Sequence, residues 1–148
     1  MGADVAQICA DTIKMRNEGM SFKHKELTDT IIGAFYRVYN SLGYGFLEKV
    51  YENALAHELR KQNLRVVQQA PIKVFYDGIV VGEYFADMLV NDLVILELKA
   101  AEGLRPEHEA QLLHYLRSTK IEVGLILNFG RKPEFKRKAY DTARNQSE

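Results

Sequence analysis

The chain has a single cysteine, Cys9, among its 148 residues. One thiol can close no intramolecular bridge and can build no thiolate zinc site, which excludes both staples and fits a reducing compartment. Net charge is missing too, because twenty Lys and Arg balance twenty Asp and Glu. Adhesion to nucleic acid through bulk charge is therefore excluded, and any such contact must come from a local patch. No apolar run approaches the roughly eighteen residues that a membrane-spanning helix needs. The first twenty residues lack the basic segment and continuous apolar stretch of a secretion signal. Met1-Gly2 opens like a myristoylation start, but Ala6 stands where that pattern needs Ser or Thr. Internal repeats and low-complexity segments are absent. Together these absences predict a cytoplasmic protein that makes no use of a membrane.

What is present is the make-up of one globular domain. A hydrophobic fraction of 47% with 27% charged residues excludes disorder, and the length allows one domain and a core that needs no covalent help. Residues 1–22 are weakly patterned and read as an N-terminal extension or leader, with Met20 a candidate natural start and a loosely docked helix the alternative. Residues 23–148 read as the domain, with a basic C-terminal tail.

From about His24 to Leu42, Leu27, Ile31, Ile32, Phe35, Val38 and Tyr39 recur at three- and four-residue spacing, which predicts an amphipathic helix. Gly43-Tyr44-Gly45 breaks it, and a second helix is expected over Leu47–Gln62 with Val50, Leu55 and Leu59 on one stripe. After Asn63 the period changes. Val66, Val67, Ile72, Val74 and Phe75 favour a strand, Asp77-Gly78 a hairpin turn, and Ile79–Leu89 the returning strand. Leu93 to Leu96 is a continuous apolar run, as suits a strand buried on both faces. Pro106 opens a helix through Ser118, and Val123–Phe129 is another apolar strand. A strand, a crossover helix and a second buried strand imply a parallel pair joined right-handedly. The expected class is α/β, a mixed sheet flanked by helices in the order α-α-β-β-β-α-β. Arg131–Lys138 carries five positive charges against one negative and reads as a basic tail.

Three polar residues fall where the pattern predicts core. Glu97 follows the apolar run, Lys99 shares its face two residues on, and Asp87 lies near the end of the preceding strand. Two carboxylates buried together lose hydration and repel each other, and a divalent cation with a taste for oxygen, magnesium or manganese, offsets both costs. The spacing alone also fits an edge-strand ion pair between Glu97 and Lys99, with Asp87 capping a turn.

The motif context resembles the PD-(D/E)XK nuclease superfamily. Asp87 matches the motif aspartate, and Glu97-Leu98-Lys99 matches E-x-K. Gln111-Leu112-Leu113-His114-Tyr115 matches the Q-x3-Y signature of the exonuclease-like branch. Gly45-Phe46-Leu47-Glu48-Lys49-Val50-Tyr51 matches the motif of the GxxExxY family, small bacterial proteins placed in the same superfamily. The likeness runs from about residue 24 to residue 130, and one departure is Ala86 where the superfamily's name has proline.

The resemblance implies a metal-dependent nuclease. Asp87 and Glu97 would be direct ligands of magnesium or manganese, the backbone carbonyl of Leu98 a third, and Glu48 a ligand directly or through water. Lys99 would position the attacking water. Gln111 would hold the water, the lysine or a phosphate, and Tyr115 would support the site or touch the nucleic-acid backbone. Arg131, Lys132 and Lys136 are candidate phosphate contacts on the tail, with a solvated terminal face as the alternative. Glu48 also suits a helix first turn for its dipole alone, Gln111 also suits a solvated helix face, and Tyr51 is assigned to packing. The implied partner is nucleic acid, DNA ahead of RNA, with a homodimer or a partner protein open. A non-catalytic nucleic-acid-binding or partner-binding module that keeps the fold is the competing reading.

Overall fold

The computed structural model describes residues 24–140. Cys9 and the expected leader over residues 1–22 lie outside the described residues. Helix α1 (Lys25–Leu42) forms where the periodicity places it and buries Ile31, Ile32, Phe35 and Val38. It stops at Gly43, whose φ of 69° suits a residue without a Cβ and whose N–H bonds Tyr39 O at 2.8 Å. Helix α2 (Glu48–Lys61) buries Tyr51, Glu52, Leu55, Ala56 and Leu59. Val50, expected on the buried stripe, is 40% exposed, and Tyr51 with Glu52 turns inward in its place.

Strands β1 (Val66–Tyr76) and β2 (Ile79–Val90) form the expected hairpin. Asp77 and Gly78 both have positive φ, 52° and 75°, the backbone that matches a tight turn to the twist of the strands. Strand β3 (Val94–Lys99) follows, then helix α3 (Pro106–Ser118) and strand β4 (Val123–Phe129). These strands lie in the order β1-β2-β3-β4, antiparallel except between β3 and β4, whose parallel pairing α3 makes possible as the crossover. Both apolar runs are buried along nearly their whole length, as central strands should be.

The expected basic tail is instead strand β5 (Pro133–Ala139), paired antiparallel with β4 from Val123↔Ala139 to Phe129↔Pro133. Its lysines conceal it in the sequence. Positive charge along an edge strand discourages a further strand from pairing, and here it sits on a strand whose Phe135 packs on the core.

Helices α1 and α2 cover one face of the sheet, where Phe35, Tyr51 and Leu55 meet Met88, Leu96, Leu98, Leu125 and Leu127. Helix α3 covers the other, where Leu112, Tyr115 and Leu116 meet Ile72, Ile95 and Ile126. Side chains alternate along β3, so Glu97 shares the α3 face with Ile95. The loop after β3 is tied to the end of β4 by the buried Asn128, which accepts from Ala101 N–H at 2.9 Å and donates to Ala101 O at 3.0 Å. Gly130 packs so closely behind this clamp that a Cβ would collide with the Ala101 carbonyl. Backbone cannot retreat as a flexible side chain can. Gly130→Ala is expected to lower stability by about 1–3 kcal/mol, read from the denaturant midpoint.

Candidate active site

The β2–β3 ladder runs from Val90↔Val94 to Met88↔Leu96 and goes no further. One residue on, Asp87 replaces the ladder with its side chain, and its Oδ2 accepts the Leu98 N–H at 2.7 Å. On the other side of β2, the β1 pairing skips Gln69, which lies opposite Asp87 and has a φ of 53°. The hairpin changes the layer it serves at this point. Val66, Met88 and Val90 join the core under α1 and α2, whereas Ile72, Tyr84 and Ala86 join the one under α3.

Glu52 closes the site from α2. It is 4% exposed and well satisfied. Gln68 Nε2 donates to its Oε2 at 2.6 Å, Gln69 Nε2 donates to its Oε1 at 2.8 Å, and Lys49 Nζ lies 3.0 Å from its Oε2. The Gln69 side chain also helps hold the Asp87 pKa down, so one side chain acts on both acids.

Glu97 is different. Its carboxylate is buried, and Oε1 has no hydrogen-bond partner. Burial first, and then the Asp87 charge, push its pKa from 4.5 up to about 8, with Glu48 adding to the rise and Lys99 opposing it. Burial also raises Asp87, aided by Glu52 and opposed by the Leu98 N–H, Lys99 and Gln69. Tyr115, packed on Tyr84 with ring centres 4.5 Å apart, is pushed up to about 12 by burial and by the Glu97, Tyr84 and Asp87 charges. Two acids and a lysine therefore share one field, at the end of a central strand.

The sequence-derived candidates do not all converge. Asp87, Glu97, Lys99 and Tyr115 interact, and the exposed Glu48 reaches Glu97 only through its charge. Gln111 is exposed on α3. Arg131 follows β4 and lies over the Tyr44 ring, 5.9 Å from its centre. Lys132 is exposed in the same turn. Lys136 sits mid-strand, opposite Ile126 and within the field of Glu109 on α3. His108 caps α3, its Nδ1 accepting the Arg105 N–H at 3.2 Å.

Sequence reasoning missed Glu52, Gln68 and Gln69. Two adjacent glutamines inside a run of strand formers were the available signal, and Glu52 lies one residue past the GxxExxY match.

Among the described residues no three His, Cys, Asp or Glu side chains come close enough together to hold a metal. The donors that do meet are hard oxygens, and the partnerless Glu97 oxygen beside Asp87 is the feature a cation would satisfy. Two carboxylates and a backbone carbonyl, completed by water and phosphate, fit magnesium or manganese. A larger groove of about 440 Å³ between β1 and the end of α3 is lined by Ile72, Ile95, Arg117 and Lys120 and by no acid, so it offers none of this chemistry.

A family model described as the PD-(D/E)XK nuclease superfamily matches residues 25–138. The chain belongs to that superfamily. Among solved structures it is similar to an alkaline exonuclease (LHK-Exo) from Laribacter hongkongensis, at 12% identity and a TM-score of 0.49, over 88% of this chain and 77% of that one. It is also similar to SSO0001, at 17% identity and a TM-score of 0.47, over 88% of this chain and 65% of that one, just under two thirds of its length. No curated protein matches the chain. No helix among the described residues is long and apolar enough to cross a membrane.

The acid pair makes stability depend on pH. The folded chain keeps the Glu97 proton up to about pH 8, whereas an unfolded chain releases it near 4.5. Between those values the native state binds more protons, so the stability of chelator-treated protein falls as pH rises through that window. Thermal melts should show this decline. Glu97→Gln should remove most of it and raise the melting temperature at pH 8 by several degrees, leaving the smaller slope of Asp87.

Proposed function

We propose that the chain is a metal-dependent nuclease that hydrolyses phosphodiester bonds, with DNA as the preferred substrate and magnesium or manganese as the cofactor. The observation that carries this reading is the partnerless, buried Glu97 oxygen beside Asp87, with Lys99 on the same strand. Asp87, Glu97 and the Leu98 carbonyl would hold the metal, and Glu48 would reach it through water. When bound, the metal lowers the pKa of a water and offsets the charge gathering on the phosphate.

The chain's own residues do the rest. Lys99, set beside both acids, orients the attacking water and faces the phosphate oxygens. The Leu98 N–H holds Asp87 with one oxygen engaged and the other available. Gln69 bonds Glu52 from its place opposite Asp87, and Tyr115 closes the site against bulk water from the α3 side. Gln111, Arg131, Lys132 and Lys136 are assigned to the nucleic-acid backbone, with Arg131 and Lys132 nearest the end of β4. The Gly45–Tyr51 match further supports a place in the GxxExxY group.

A second reading draws on a specific observation, namely that among the described residues no three acidic or imidazole side chains gather closely enough to hold a metal. It makes the chain a nucleic-acid-binding module that keeps the fold without turnover.

Hydrolysis of linear, circular and single-stranded DNA and of RNA, with magnesium, manganese or chelator, separates the two. Cleavage should require the metal, and Asp87→Asn and Lys99→Met should each lower it by about 100-fold or more while the circular dichroism spectrum stays unchanged. Full activity in either variant overturns the assignment. Metal binding by calorimetry without cleavage of any substrate moves it to the second reading.

A further inference from the structure

A second cavity opens at the C-terminal ends of the parallel strands β3 and β4, just past Lys99, where open α/β sheets present crevices to ligands. It measures about 320 Å³ and is lined by Tyr44, Phe46, Ala101, Glu102, Phe129 and Arg131, among others. Ala100, the residue after Lys99, is part of its wall, and Phe46 precedes Glu48 by two.

Its rim is aromatic, exposed and held in place. Tyr44 and Phe46 are 58% and 47% exposed. Tyr51 Oη donates to Gly43 O at 2.6 Å and accepts the Phe46 N–H at 3.2 Å, which pins the loop carrying both rings. Between them Gly45 has a φ of 113°, a backbone state that other residues rarely adopt. Phe46 meets the Tyr51 ring edge-on at 6.0 Å, Tyr51 stacks on Phe129 at 4.4 Å, and Phe129 meets Phe35 at 4.8 Å. The exposed ring is thus the outer end of a buried aromatic column. The opposite lip is pinned as well, since Tyr39 Oη lies 2.6 Å from Arg131 O and 2.8 Å from Gly130 O. Folding alone needs neither ring at the surface, and rigid exposed aromatics lose little freedom on taking up a ligand.

The charges describe that ligand. One acid, Glu102, and one base, Arg131, line the cavity. A bare phosphate meets repulsion from the first as well as attraction from the second. A neutral planar group with both donors and acceptors on its edge suits the pair, and the aromatic rings and the guanidinium offer it stacking faces.

We propose that this cleft receives a single unpaired nucleobase next to the scissile phosphate, stacked on Tyr44 and Phe46 and bordered by Arg131 and Glu102. The inference deepens the nuclease reading and rests on it for the position of the phosphate. A base can enter only outside a duplex stack, so the substrate class is single-stranded nucleic acid or a frayed end.

The test uses the full chain carrying Asp87→Asn, so that cleavage does not consume the probe, and an oligonucleotide containing one 2-aminopurine. Single strands should bind more tightly than a blunt duplex, and the fluorescence of the probe should change on stacking. Tyr44→Leu and Phe46→Leu, which keep apolar bulk but remove the ring faces, should together weaken single-strand binding about 10-fold and abolish the fluorescence change, with duplex binding and the circular dichroism spectrum unchanged. Unchanged single-strand affinity in the double variant, or preference for the duplex, overturns the proposal. A chain that cleaves nothing yet shows the ring-dependent signal supports the base site and overturns the nuclease reading. One that cleaves while the double variant binds as tightly as before overturns the base site alone.

Discussion

The hydrogen bond from the Leu98 amide to the Asp87 carboxylate is the contact on which the site depends. In a continuing ladder, a β2 carbonyl would be expected in that role. Substituting a side chain lets β2 and β3 part while the β3 amide stays satisfied, and it draws one acid against the strand that carries the other. The cost is a crowded pair of carboxylates in a poorly solvated place, seen in the upward shift of both. Lys99, Gln69 and the Leu98 amide offset part of it at Asp87. Lys99 and the Asp87 backbone N–H oppose the rise at Glu97, but Oε1 has no hydrogen-bond partner among the described residues. Sites that hold such an imbalance are characteristic of function, because a fold selected for stability alone would place an apolar side chain there.

Around this contact, residues with unlike appearances serve one end. Tyr51, the last position of the GxxExxY match, reaches back to bond the loop at Gly43 and Phe46, and Gly45 supplies the turn that makes the reach possible. The first and last residues of the motif therefore shape a loop, and Glu48 between them is presented at the start of α2. Asn128 performs the same service on the other side by tethering Ala101. The loop before α2 and the loop after β3 are thus both held by hydrogen bonds from the core.

Much of the fold was legible because its signals are local. The three- and four-residue spacing from Leu27 to Tyr39, the Asp77-Gly78 turn and the apolar runs of β3 and β4 each report a backbone state that neighbours in sequence impose. Strand β5 escaped because Lys136, Arg137 and Lys138 look like a solvated tail, and only pairing with β4 makes an edge strand of them. The inward turn of Tyr51 and Glu52 escaped for a related reason, as a small shift in where α2 begins rotates which residues meet the sheet.

By itself the sequence determined the kinds of elements, their order up to β4, and the identity of Asp87, Glu97 and Lys99 as residues out of keeping with a core. Those properties follow from local periodicity and from the mismatch between a residue's polarity and its surroundings in the chain. Only the tertiary structure decided that Glu52 and Gln69 join the acids, that Gln111 lies exposed on α3 and Lys136 lies within the field of Glu109, and that Tyr44 and Arg131 form one rim. These are meetings between residues tens of positions apart. They depend on the register of strands and on where a ladder stops, which side chains settle through packing and hydrogen bonding across the sheet and which no local pattern encodes.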